Sequence, residues 1–322
     1  MLRQRTWRIA AGVLALLLLP GWGGAAAQVE SVLMGTTIGG AAGFITNIIK
    51  QHNLDAKNGL NLDLKAFSPD KLQNVLIARQ IEVGLINPIA LVRVNLRGNK
   101  MRLFGPLLWN HTSLVVQPDS KVAAFADLKG KKVAILPRVS GGFNTWALAN
   151  RMRGLDPEKP YQMIFGPPPV ILGLFHKKEV EVVASFEPYT TALLADKAGR
   201  EITTISELWR ESTGEPMLLI GLGAYQEWLD THQRQAKKTV ATLGDAVATF
   251  FANPRRAIEA NLDYFKAKTK AHADLLEQRL PKIYTNRWDG EIVANLRLIV
   301  QKSVEFGILE RAPEGEQFLQ LK

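Results

Sequence analysis

Short apolar runs alternate with amphipathic stretches along most of this chain. The run at 29–35 is followed by Gly39-Gly40 and by helical periodicity over 41–51. Residues 60–67 alternate apolar and polar positions, then pass through Ser68-Pro69-Asp70 into a helical pattern over 71–80. A compact run at 83–86 leads through Asn87-Pro88 into a third helix over 89–96. Strand and helix at this spacing predict a parallel sheet with helices on its faces. Two further strands are expected at 101–108 and 113–117, with Pro118-Asp119-Ser120 as the exit from this first unit.

The plan then repeats. Strands are expected at 132–136, 161–165, 180–186 and 201–205, and the apolar run 217–222 reads as a strand returning to the first unit. From Ala224 onward the pattern is helical, broken at Asn253-Pro254, Leu280-Pro281 and Asp289-Gly290. The expected organisation is a first lobe from 28–118, a second lobe from 119–216, and a return to the first lobe with C-terminal helices over 217–322. Two crossings between lobes make a hinge.

The first 27 residues change this picture only by leaving it. Arg3, Arg5 and Arg8 precede an apolar run over 9–19, Pro20-Gly21 breaks it, and Ala25-Ala26-Ala27 offers small residues for cleavage before Gln28. That is the pattern of a secretory signal, and the run is shorter than the roughly 20 residues of a spanning helix. Export to the periplasm as a soluble protein is expected, with no lipid anchor and no stable membrane insertion. The chain has no cysteine, so disulfides, thiolate metal sites and cysteine nucleophiles are excluded. The formal charge of +10 becomes +7 once the three leader arginines are removed. The basic pairs Lys131-Lys132, Lys177-Lys178, Lys237-Lys238 and Arg255-Arg256 are scattered rather than focused, which argues against nucleic acid as a partner. A diffuse positive field suits attraction of anionic solutes.

Candidate chemistry gathers in the turns after strands. Gly35-Thr36-Thr37-Ile38-Gly39-Gly40 joins the first strand to the first helix, where glycines admit close approach and free helix amides favour an anion. It lacks both the dinucleotide spacing and the Gly-Lys-Ser/Thr of a phosphate loop; ordinary helix capping by Thr36 and Thr37 is the competing role. Ser140-Gly141-Gly142-Phe143 is the matching turn of the second lobe. Arg138 just before it offers a planar fork to a carboxylate or sulfonate, or else a salt bridge with an acid such as Glu187. Ser68 and Asn87 end strands of the first lobe, as ligand contacts or as helix caps. Trp109 and Asn110 lie at the lobe junction, where Trp109 stacks on a planar solute or packs the hinge. Glu187 ends a strand before Pro188-Tyr189; it accepts from a ligand, or pairs with a basic side chain across the cleft and holds the closed form. The five histidines show no metal-ligand spacing, and no Gly-x-Ser-x-Gly elbow appears, so no catalytic or metal residue and no cofactor is assigned.

The stretch from Asp127 to Tyr189 carries a family resemblance, in Asp127-Leu128-Lys129-Gly130-Lys131-Lys132-Val133-Ala134-Ile135, Ser140-Gly141-Gly142-Phe143 and Glu179 through Tyr189. The Gly-Thr-Thr turn, Asn58-Gly59-Leu60-Asn61-Leu62 and Gln80-Ile81-Glu82-Val83-Gly84-Leu85 extend it over nearly the whole mature chain. It resembles the nitrate/sulfonate/taurine-type solute-binding proteins of ABC importers. The resemblance implies an α/β fold of the type II periplasmic binding class, a ligand between two lobes, closure on that ligand, and docking of the closed monomer on permease subunits. Its departure is Leu85-Ile86-Asn87, where relatives commonly carry an acidic strand end. A branch of the wider superfamily makes the thiamine pyrimidine, so a cytoplasmic-type enzyme is one alternative. A periplasmic sensing module for a membrane receptor is the other.

Overall fold

The computed structural model describes residues 30–321; the expected signal segment lies outside them. In chain order the strands are β1 (Glu30–Thr37), β2 (Leu60–Phe67), β3 (Val83–Ile86), β4 (Met101–Trp109), β5 (Ser113–Val116), β6 (Lys132–Ile135), β7 (Gln162–Phe165), β8 (Val182–Ser185), β9 (Arg200–Thr204) and β10 (Leu218–Tyr225). The helices of the first half are α1 (Gly40–Gln51), α2 (Leu54–Lys57), α3 (Pro69–Ile77), α4 (Pro88–Leu96), α5 (Gly141–Arg151), α6 (Pro168–His176) and α7 (Tyr189–Ala195). Those of the second are α8 (Ile205–Thr213), α9 (Gln226–Thr231), α10 (Gln233–Ala252), α11 (Pro254–Glu259), α12 (Leu262–Phe265), α13 (Lys270–Arg279) and α14 (Gly290–Glu305).

The strands form two sheets of one design. Lobe 1 has the order β2-β1-β3-β10-β4 and lobe 2 the order β7-β6-β8-β5-β9. In each, three parallel strands meet a fourth that runs antiparallel and arrives from the other lobe: β10 in the first sheet, β5 in the second. Central strands β3, β5 and β8 are buried along their whole length, whereas edge strand β2 exposes alternate residues after Leu60 and Leu62. Helix starts follow local chemistry. Asn87 caps α4 by accepting from the Ile89 and Ala90 amides, with Pro88 at the first helical position.

One boundary differs from expectation. β5 pairs with β8 and β9, so residues 113–116 already belong to lobe 2, and the first crossing falls at 110–112 rather than at 118–120. Placed between β8 and β9, the strand buries both faces of Leu114, Val115 and Val116. The two crossings hold each other, the Asn110 amide donating to the Met217 carbonyl oxygen at 2.7 Å; within the first crossing Asn110 Oδ1 accepts from the Thr112 amide at 2.9 Å. On one side the lobes also pack through α4 and α5, where Arg93 Nη1 donates to Asn144 Oδ1 at 2.7 Å.

Lobe 1 depends on close pairing of β4 with β10. A Cβ on Gly221 would lie 2.4 Å from the Gly105 carbonyl oxygen, an approach only glycine allows. Gly221→Ala is therefore expected to destabilise the protein by about 1–3 kcal/mol in urea unfolding. Gly173→Ala, where the added methyl meets nothing within 4 Å inside α6, should be neutral or stabilising.

Candidate functional site

The strand ends of both sheets converge on a cavity of about 80 Å³ between the lobes. Lobe 1 supplies the β1–α1 turn from Thr37 to Ala42, Pro69 after β2, and Leu219 and Ile220 of β10. Lobe 2 supplies Leu136 after β6, Ser140 to Gly142 at the start of α5, Pro168, and Phe186 and Tyr189 around the start of α7. Leu108 of β4 joins His111 and Thr112 of the first crossing in the wall. No Asp, Glu, Lys or Arg among the described residues lines it.

Two helix starts face this space. Gly39 and Gly40 both have φ of 73°, and the Tyr189 hydroxyl lies 2.9 Å from where a Gly39 Cβ would sit, so the lobes meet at a position without a side chain. The Ala41 amide donates across the cleft to the Glu187 carbonyl oxygen at 3.1 Å. At the start of α5, Ser140 Oγ accepts from the Phe143 amide at 3.2 Å. The amides of Gly141 and Gly142, like those of Gly40 and Ala42, find no protein acceptor among the described residues. Orphan amides at two helix starts give the cavity a positive, donor-rich end without a cationic side chain.

An ion triad, buried at Glu187 and half-buried at Arg279 and Glu201, braces the same region. Glu187 is 1% exposed, and its carboxylate accepts from Thr191 Oγ1 at 2.7 Å and from Arg279 Nε at 2.5 Å. Arg279 also grips both oxygens of Glu201, at 2.9 and 2.8 Å. α13, which carries Arg279, packs on α7 of lobe 2. The chain after it is tied to lobe 1: the Trp109 amide donates to the Ile283 carbonyl oxygen at 2.8 Å, and Tyr284 Oη donates to the Ala41 carbonyl oxygen at 2.8 Å. Burial pushes the Glu201 carboxyl up, but hydrogen bonds from Arg279 and Ser113 bring it below its ordinary value. Burial drives the His111 imidazole the other way, below its ordinary value, against a smaller opposing pull from Trp109 and Glu187.

Of the residues expected at a site, Thr37, Ser140, Gly141 and Gly142 line the cavity. Thr36 lies buried behind it, its hydroxyl 3.0 Å from that of Thr46. Ser68 is half-buried at the start of α3, and its neighbour Pro69 takes the lining position. Asn87 caps α4, donates to the Leu219 carbonyl oxygen at 2.8 Å, and sits against Gly141 of the other lobe. Trp109 lies in β4 and Asn110 in the hinge; Phe143 is buried edge-on to Phe165. Arg138 is exposed and takes the salt-bridge alternative, with Glu158 rather than Glu187 as its partner, and it stacks over the Phe165 ring at 4.0 Å. The alternative role of Glu187, pairing with a basic side chain, is what the structure has, with Arg279 as partner. His111, Tyr189 and Arg279 were not expected. The signal for His111 was its place between Asn110 and Thr112 at the lobe junction; nothing local marks Arg279.

A two-lobed α/β shell closed around a cavity at facing strand ends defines the architecture of the periplasmic binding proteins. Residues 46–261 match the NMT1-like family, and the chain belongs to it. Among solved structures, the alkanesulfonate-binding protein SsuA from Xanthomonas axonopodis pv. citri bound to MOPS is similar over 92% of this chain and 100% of that one, with a TM-score of 0.75 and 15% identity. The periplasmic aliphatic sulphonate binding protein SsuA from Escherichia coli matches over 88% and 95%, TM-score 0.70, 18% identical. The periplasmic nitrate-binding protein NrtA from Synechocystis PCC 6803 matches over 88% and 83%, TM-score 0.65, 18% identical. No curated protein sequence matches the chain. Among the described residues no helix is long and apolar enough to cross a membrane.

Glu187→Gln is expected to lower stability by about 1–3 kcal/mol, less than the loss of an isolated buried pair because Arg279 keeps Glu201. The same variant should raise the radius of gyration in small-angle scattering. The pH dependence has a definite sign. The folded pKa of His111 lies below its ordinary 6.5, so the unfolded chain binds the extra proton between the two values. Its contribution to stability is complete above pH 6.5 and is lost as pH falls through the folded value. His111→Phe should flatten urea-unfolding stability across pH 7 to 5 relative to the parent.

Proposed function

We propose that this protein is the solute-capturing component of an ABC importer, working in the periplasm as a hinged jaw that closes on one small molecule. The observation that carries the reading is the joint construction of the cavity: β1–α1 and β10 of one lobe and the α5 and α7 starts of the other form its wall together. A guest there touches both lobes only when they are shut, so its binding energy favours closure. Membership of the NMT1-like family and likeness in fold to sulfonate- and nitrate-binding periplasmic proteins support the same reading.

The free amides at α1 and α5 suit an oxygen acceptor of the solute, and Ile38, Leu136, Phe186 and Leu219 suit a compact apolar body. Arg138 is not assigned to the solute. The closed form then presents a rim drawn from both lobes to the permease subunits. The competing enzyme reading predicts turnover; incubation with pyridoxal phosphate should yield no product.

A thermal-shift panel of the mature protein against nitrate, alkanesulfonates, small carboxylates, amides and vitamin precursors tests the proposal. At least one solute should stabilise it, by about 2.7 kcal/mol at a hundredfold excess over Kd. Gly141→Val should abolish that shift, because its side chain would drive into Asn87 of the opposite lobe. A panel without any stabilising solute, or a hit untouched by Gly141→Val, contradicts the reading.

A further inference from the structure

His111 lines the cavity with one ring nitrogen engaged and one free. Its Nδ1 lies 2.9 Å from the Trp109 carbonyl oxygen. A carbonyl oxygen only accepts, so Nδ1 carries the hydrogen in the neutral ring and Nε2 presents a bare lone pair. Among the described residues no donor reaches that nitrogen. The residue is 7% exposed, so what it meets is the content of the cavity rather than bulk water. The charged groups that act on the ring are Glu187 and Arg279, which pair with each other, and burial keeps the imidazole neutral.

The same cavity offers the opposite polarity at the start of α5, where the Gly141 and Gly142 amides have no acceptor. One wall therefore asks for a donor and another for an acceptor. The free volume of about 80 Å³ is well under the roughly 150 Å³ of a cavity that takes up benzene. A guest held within that volume has only a few heavy atoms.

We propose that the cleft selects a compact, uncharged solute carrying an acceptor oxygen and an N–H or O–H donor, the oxygen taken by the Gly141 and Gly142 amides and the donor by His111 Nε2. This narrows the solute class of the capture reading and rests on it. A fully ionised oxyanion satisfies the amides but brings only lone pairs to Nε2. It binds well only if His111 gains a proton in a buried position beside Arg279, so its affinity rises as pH falls. A neutral solute gains nothing from that change.

Isothermal titration calorimetry of the mature protein with acetamide, acetate and methanesulfonate, at pH 7.5 and 6.0, tests the proposal. Acetamide should bind at least tenfold more tightly than either anion at pH 7.5, with the gap narrowing at pH 6.0. The ¹⁵N resonance of His111 Nε2 should move upfield on adding acetamide, a readout that needs no variant. His111→Phe should cut acetamide affinity about tenfold and leave acetate unchanged, while His111→Gln, which keeps an acceptor oxygen, should retain the preference. Tighter binding of acetate or methanesulfonate at pH 7.5 overturns the donor requirement and leaves solute capture standing. Absence of binding by all three probes also overturns it, and the thermal-shift panel then decides separately whether capture itself fails.

Discussion

The structure depends on two glycine turns, one in each lobe, that each let the opposite lobe come close. Gly39 and Gly40 of lobe 1 face Tyr189, Phe186 and the Glu187 carbonyl, and Gly141 of lobe 2 rests on Asn87. Closeness at these points lets the Ala41 amide reach across to Glu187 and brings the orphan amides of α1 and α5 to a single cavity. A methyl group on Gly39 would meet the Tyr189 hydroxyl at 2.9 Å, and one on Gly141 would press on Asn87 at 3.0 Å.

What keeps the lobes in that relation is distributed over three places. Asn110 and Met217 join the two crossings, Arg93 and Asn144 join α4 to α5, and Arg279 reaches Glu187 and Glu201 from a segment anchored on β4. Desolvating three charged groups is costly, and a buried ion pair is weak ground for net stability. The triad's effect is directional instead. Arg279 satisfies Glu187 in one arrangement of the C-terminal segment against lobe 2, so it specifies where that segment sits.

Much of the fold was legible because burial writes itself into local pattern. The apolar runs of β3, β5 and β8 announced strands, and Ser68-Pro69, Asn87-Pro88 and Ser140-Gly141 announced helix starts after them. The sheet that β5 joins was not legible: Ser113 pairs with Ser185 and Thr204, and such partners are set by topology rather than by neighbours in the chain. The site was readable only in its turns. Arg138 carried the right chemistry for an anion, but Glu158, twenty residues on, claims it. Arg279 stands 92 residues from Glu187, and no local signal links them. His111 looked like any solitary histidine until the fold closed a cavity around it.

Closure around a guest is the central claim, and the absence of native cysteine makes it directly measurable. Spin labels on N61C in edge strand β2 and Q162C in edge strand β7 report the separation of the two sheets by double electron–electron resonance. With the most stabilising solute from the thermal panel, a broad or two-peaked distance distribution should collapse to one narrow component. A single narrow distance that is the same with and without that solute would contradict the account.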